Sequence, residues 1–170
     1  MMAPALETER LRLRGHRVED LAECAAMWAH PDVVRYIGGR PYSNEEVWAR
    51  MLRYVGHWTW MGFGFWAIEE KRTGAFAGEA GFADFKRGIP AIDGVPEVGW
   101  VMAPRTHGQG YATEAMRALL RWADEHLESR RTVCLVHPDN LRSRHVAEKC
   151  GYKEIAKTAY RGEPTAILER

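Results

Sequence analysis

Met102-Ala103-Pro104-Arg105-Thr106-His107-Gly108-Gln109-Gly110-Tyr111-Ala112-Thr113-Glu114 is the stretch whose reading decides the fold. Val98 to Met102 is an apolar run of strand length. Beyond the glycines, Ala112, Ala115, Met116, Leu119, Leu120, Ala123 and Leu127 recur at three- and four-residue intervals, which is one apolar face of a helix. A strand that passes through glycines into a helix N-terminus leaves several backbone N–H groups unpaired and aimed at one spot. The helix dipole adds partial positive charge there, so the place suits a phosphate or pyrophosphate. Gly108 and Gly110 have no Cβ, which lets the backbone approach an anion and adopt positive φ. An ordinary strand-to-helix turn fits the same residues.

Two nucleotide motifs fail at this turn. A Rossmann fingerprint needs a third glycine at position 113, which is Thr113, and an acid after the next strand, where the chain reads Arg130-Arg131-Thr132. A Walker A loop needs a Gly-Lys-Ser/Thr ending, and none follows. What remains, Arg105-Thr106-His107-Gly108-Gln109-Gly110, resembles the cofactor motif of the GNAT superfamily of acyl-CoA N-acyltransferases. Asn140 with Ser143, followed by Glu148-Lys149-Cys150-Gly151-Tyr152, is similar to a second segment of that family. Glu7-Thr8-Glu9-Arg10-Leu11-Arg12-Leu13-Arg14 looks like the first strand of the branch that includes the ribosomal-protein N-terminal-alanine acetyltransferases. The likeness covers nearly the whole chain in the right order.

The resemblance implies an α/β (α+β) fold, a mixed and mostly antiparallel sheet of about seven strands flanked by about four helices. It implies an N-acetyltransferase that moves an acetyl group from acetyl-CoA to a primary amine by direct attack. The acceptor would be a protein N-terminus or a small amine. By the same resemblance, backbone amides of His107, Gly108, Gln109, Gly110, Tyr111 and Ala112, with Thr113 and nearby Arg105, face the pyrophosphate. Strand backbone at Val101 and Met102 holds the pantetheine arm as an added strand would, and Asn140 contacts the same arm. Asn140 equally suits an N-cap of the following helix. Many relatives place a tyrosine seven residues after that Asn to protonate the leaving thiolate; here the position is Ala147, and Ser143 is the nearest substitute, as acid or as a binding group only.

For the base, Glu97 is the first candidate and Glu79 its rival; a structural ion pair is the alternative for each. Strand alternation puts Glu97, Gly99 and Val101 on one face, and Gly99 is expected to leave open space beside the carboxylate. The competing reading is a non-catalytic acyl-CoA-binding or regulatory domain, which would lack such carboxylates.

Composition adds limits. A chain of 170 residues fits a single domain spanning 1–170. Lys and Arg number 24 against 23 acids, which gives no reason to expect a nucleic-acid or membrane partner. No run approaches membrane-span length and no signal-peptide pattern precedes Leu6, so a cytoplasmic location is expected. Cys24, Cys134 and Cys150 are widely spaced and read as reduced, buried thiols. The seven histidines show no metal-ligand spacing, so no metal is expected. A monomer and a homodimer are both compatible with the sequence. Strands are predicted over Arg10–Arg14, Phe65–Glu70, Ala75–Phe85, Glu97–Met102, Thr132–Val136, Tyr152–Thr158 and Thr165–Glu169. Helices are predicted over Val18–Ala29, closed by Pro31, from Ser43 to about Trp60 behind a Ser43–Glu46 capping box, from Ala112 on, and over Leu141–Cys150. Trp58 and Trp60 cannot both face inward on one helix.

Overall fold

Leu11 and Leu13 are fully buried between exposed or half-exposed arginines, as a strand with one wet face requires. The structure, a computed structural model, describes residues 2–170. Its strands are β1 (Leu6–Glu7), β2 (Leu11–Arg14), β3 (Phe65–Glu70), β4 (Phe76–Ala83), β5 (Glu97–Met102), β6 (Val133–Val136), β7 (Lys153–Tyr160) and β8 (Glu163–Glu169). The helices are α1 (Leu21–Ala29), α2 (Pro31–Val34), α3 (Asn44–Met61), α4 (Tyr111–His126) and α5 (Leu141–Lys149). The expected fold class holds, with one strand and one helix more than the sequence suggested. The extra pieces are β1, two residues long, and α2, four residues long, both too short to show periodicity. Pro31 does close α1, and it then serves as the first residue of α2, where its missing N–H costs nothing.

The eight strands form one sheet in the order β1-β2-β3-β4-β5-β6-β8-β7, antiparallel except at β5–β6. That parallel pair is the feature that shapes the site. The two strands meet at a single register pair, Glu97 with Val133, and then part. Every other adjacent pair of central strands runs for four or more residues. The sheet is therefore split toward the C-terminal ends of β5 and β6.

Two layers cover the sheet. α4 and α5 bury Ala115, Met116, Leu119, Leu120, Ala147 and Cys150 against Val98, Met102, Cys134 and Val136. On the other face α1, α2 and α3 bury Cys24, Met27, Trp28, Val34, Val47 and Met51 against Ala67, Phe76 and Val101. Trp58, Trp66 and Trp122 pack edge to face with centroids 4.5 to 5.5 Å apart, so these tryptophans are core. Trp60 is 88% exposed while Trp58 is 3% exposed, as helical spacing demanded. The Ser43–Glu46 capping box is formed in both directions, at 3.2 and 2.8 Å. Among the described residues no helix is long and apolar enough to cross a membrane.

Candidate active site

The turn after β5 exposes a run of free amides. Thr106 and His107 donate their N–H groups to the Ala103 and Pro104 carbonyls at 2.9 and 3.1 Å, and Glu114 begins the helical ladder by donating to Gly110. In between, the N–H groups of Gly108, Gln109, Gly110, Tyr111, Ala112 and Thr113 have no acceptor among the described residues. Gly108 and Gly110 both take positive φ, 77° and 78°, which aims this run and which side chains with a Cβ resist. His107 is a correction to the sequence reading: its amide is used inside the short turn. Its ring Nε2 instead lies 2.9 Å from the Met102 carbonyl oxygen.

Arg105 is also displaced from its expected place. Its guanidinium donates to Glu70 at 2.7 Å and to the Phe76 carbonyl, so it braces β3 and β4 against the turn. The cation beside the amides is Arg10, which sequence reasoning left unassigned. Its Nε donates to Glu114 at 2.7 Å and its Nη1 to the Gln109 carbonyl at 2.9 Å. Nη2 has no acceptor among the described residues and lies 3.6 Å from where a Cβ on Gly110 would stand. Thr8 adds a 2.6 Å hydrogen bond to the same Glu114 carboxylate. The signal was present as Thr8-Glu9-Arg10 and Glu114, over a hundred residues apart, and only the sheet brings them together.

The open edge of β5 follows from strand parity. Ala103 donates to Ala77 of β4, while the Pro96 carbonyl accepts from Val133 of β6. Odd-numbered residues of β5 thus turn their backbone toward β4, and even-numbered residues turn theirs toward the gap. Val101, paired with Glu79, is occupied by β4. The free edge belongs to Trp100 and to the Met102 N–H, since the Met102 carbonyl already accepts from His107 Nε2; this is a one-residue shift from the expected Val101 and Met102. Across the gap, the Asn140 side chain accepts from the Ser143 amide at 3.2 Å and so caps α5. Tyr36, just past α2, and His137, just past β6, pack with their rings tilted by 32° and centroids 5.1 Å apart. The Asp139 amide donates to His137 Nδ1 at 3.2 Å, which leaves the ring proton of the neutral form on Nε2.

The two carboxylates sit in different settings. Glu97, 6% exposed, accepts two hydrogen bonds from Arg87, at 2.6 and 2.7 Å. The space above Gly99 is not open as expected: the Phe65 ring fills it, 3.0 Å from an added Cβ. Glu79 is fully buried and accepts from Tyr54 at 2.8 Å and Trp28 at 3.0 Å, with His16 Nε2 at 3.3 Å and the Cys24 thiol at 3.8 Å. Burial pushes the Glu79 carboxyl up. The His16 hydrogen bond and charge, with Arg50 and Tyr54, outweigh that and hold it below the ordinary carboxylate range. Burial and the Glu79 charge together push the Tyr54 hydroxyl and Cys24 thiol well up, so both stay protonated donors. His16, Cys24 and Glu79 place ligand-type atoms within 4.8 Å of one another, a convergence that sequence spacing does not show.

Residues 10–153 match the acetyltransferase (GNAT) domain family. The chain belongs to that family, and it is an acetyltransferase. Its relatives include YkkB of Bacillus subtilis, 31% identical over 97% of this chain and 94% of that protein. Another is the N-acetyltransferase p20 of Bacillus licheniformis, 27% identical over 81% of this chain and 76% of that protein. Among solved structures, a GNAT-family acetyltransferase from Bordetella pertussis superposes with a TM-score of 0.88 at 32% identity, covering 99% of both chains. RimL, a ribosomal L7/L12 acetyltransferase in complex with coenzyme A, shares the fold with a TM-score of 0.79 at 16% identity, over 98% of this chain and 97% of that one.

Proposed function

We propose that the chain transfers an acetyl group from acetyl-CoA to a primary amine by direct attack in a ternary complex. The observation that carries this is the free amide run Gly108–Thr113 beside the unpaired edge of β5, two binding surfaces that converge at one split in the sheet. The amides and Arg10 would take the pyrophosphate. The pantetheine amides would pair with Trp100 and Met102 as a strand does, which sets the thioester between β5 and β6. The acceptor comes from the face of Gly99 and Val101. A base first takes the ammonium proton; the freed nitrogen lone pair attacks the thioester carbonyl carbon, the carbon–sulfur bond breaks, CoA departs as a thiolate, and the second N–H proton lost on forming the amide passes to that thiolate or to solvent.

We assign the base to Glu97. It lies on the acceptor face, keeps a trace of solvent exposure and has one partner, Arg87, that can release an oxygen to a proton, whereas Glu79 is fully buried among four donors. Glu97→Gln keeps the size and removes the proton acceptor. Its kcat/KM should fall most at low pH and least at high pH, where free amine is abundant. A pH–rate profile matching wild type would remove Glu97 from the chemistry.

Ser143 is assigned to the leaving thiolate. Its amide is held by Asn140 on the first turn of α5, and its half-buried hydroxyl has no protein acceptor among the described residues. A hydroxyl is a weak acid but an adequate donor to a thiolate of pKa about 8.5. Ser143→Ala should lower kcat more than it raises the KM for acetyl-CoA, measured by thiol release. A change confined to KM would make Ser143 a binding residue.

A titration calorimeter and a thiol-release assay across an amine panel test the whole reading. Acetyl-CoA binding without amine-dependent thiol release would leave a binding domain.

A further inference from the structure

Arginines gather on the acceptor face with too few acids to match them. Arg50 and Arg53 lie one turn apart on α3, and Arg87 lies in the loop after β4. Arg87 is paired with Glu97. Arg50 stacks over Trp28 at 4.0 Å and Tyr42 at 5.2 Å, and donates to the Tyr54 hydroxyl at 3.2 Å, which relays to Glu79. Its Nε is buried and has no hydrogen-bond partner among the described residues. Arg53 has no carboxylate partner among the described residues: its guanidinium rests 4.8 Å from the Phe85 ring, with Arg87 4.6 Å from the same ring. Arg87 also stands 4.9 Å from the Tyr160 ring at the end of β7, so the row reaches across to the far side of the split.

Arg53 and Arg87 share the Phe85 ring with Arg50 one turn away, their like charges repel, and Arg53 carries that imbalance. Partial desolvation by the packed rings, and then the neighbouring charges of Arg50 and Arg87, lower its guanidinium from the ordinary arginine range although the residue keeps an exposed edge. A cation in that position is stabilised by an anion arriving from outside, and Arg53 is solvent-accessible, so an incoming group can reach it. Phe85 ties this row to the reaction: it packs with Tyr54 and Phe65, and Phe65 is the ring that abuts Gly99 of β5.

We propose that the acceptor is an amine that also carries a carboxylate, and that Arg53, flanked by Arg50 and Arg87, receives that carboxylate as the amine reaches the thioester. This rests on the acetyl-transfer reading above and adds the substrate class. Polyamines, which bring only positive charge, are poor acceptors on this account.

The test compares paired acceptors, free amino acids against their primary amides, and amide-capped peptides beginning Ala-Asp against those beginning Ala-Asn. Thiol release gives kcat/KM for each. The carboxylate member of at least one pair should exceed its neutral partner by roughly tenfold to a hundredfold, the range of one charge-assisted hydrogen bond. The pair that shows the preference tells a free amino acid from an acidic peptide. Arg53→Gln should erase that ratio and Arg53→Lys restore part of it, with acetyl-CoA affinity by calorimetry equal to wild type in both. Equal rates within every pair, or a ratio that survives Arg53→Gln, would overturn the proposal while leaving acetyl transfer intact. Calorimetry of the N-acetylated products against their amides, with CoA present, gives a readout that needs no turnover. Carboxylate-dependent product binding without thiol release from any amine would sustain the carboxylate site and sink acetyl transfer.

Discussion

Gly110→Glu should weaken acetyl-CoA binding by roughly a hundredfold or more while the chain stays folded, since a fixed negative charge would stand where the proposed site receives the pyrophosphate. Gly110 is the N-cap of α4, with φ 78° and no side-chain cap bond. A Cβ there meets nothing closer than Arg10 Nη2 at 3.6 Å, so the fold has room for the side chain. The added carboxylate would also pair with Arg10 Nη2 and draw that cation away from an incoming phosphate. Backbone strain from a non-glycine residue at positive φ costs about 1–2 kcal/mol, well within the stability of a domain this size. Gly110→Ala isolates that strain: it should keep most of the affinity that Gly110→Glu loses. Calorimetric Kd values for the two variants, with thermal melts as the folding control, decide the matter. Wild-type affinity in Gly110→Glu would mean that the pyrophosphate sits elsewhere.

Glu79→Ala is expected to be the most destabilising single change among the site's carboxylates. It would strand the Trp28 indole N–H, the Tyr54 hydroxyl and His16 Nε2 in a fully buried space and leave a cavity between β4 and α1. Removing one member of a buried charged network costs about 3–5 kcal/mol. For a chain of this length that is roughly a 10 °C drop in Tm or more. Glu97→Ala should cost less, because its partner Arg87 keeps more contact with water. A pH series sharpens the prediction. Because the folded-state pKa of Glu79 lies below its unfolded value, the stabilisation is complete above about pH 4.3 and is lost as pH falls toward the folded pKa. Wild type should therefore lose stability on acidification below that point, and Glu79→Gln should lose less. Equal acid sensitivity in both would show that Glu79 is not the group responsible.

The contrast between these two sites explains what could be read from the sequence. The turn was legible because its information is local: apolar run, glycines, helical periodicity, all within thirty residues. The Ser43–Glu46 box and the Trp58/Trp60 division were legible for the same reason. Glu79's surroundings were not, since His16, Cys24, Trp28 and Tyr54 come from the end of β2, α1 and α3, and no spacing rule links them. Arg87 comes from a Gly/Pro-bearing loop without periodicity, so the Glu97 ion pair was invisible beforehand. The one-residue error at the β5 edge has a simple physical origin. Alternation fixes which residues share a face, but only pairing with β4 fixes which backbone groups point into the gap. The β7–β8 hairpin closes nearer its turn than the expected strands Tyr152–Thr158 and Thr165–Glu169, because Arg161 and Gly162 both take positive φ, 52° and 82°, in a two-residue turn.

The central claim is direct acetyl transfer from acetyl-CoA to an amine at the split between β5 and β6. The most direct test follows free CoA thiol and N-acetylated acceptor together by mass spectrometry, with the intact protein mass recorded during turnover. One acetylated amine is expected for each thiol released, with a protein mass that never gains an acetyl group. Thiol release without an acetylated amine, or an acetyl group resident on the protein during turnover, would contradict it.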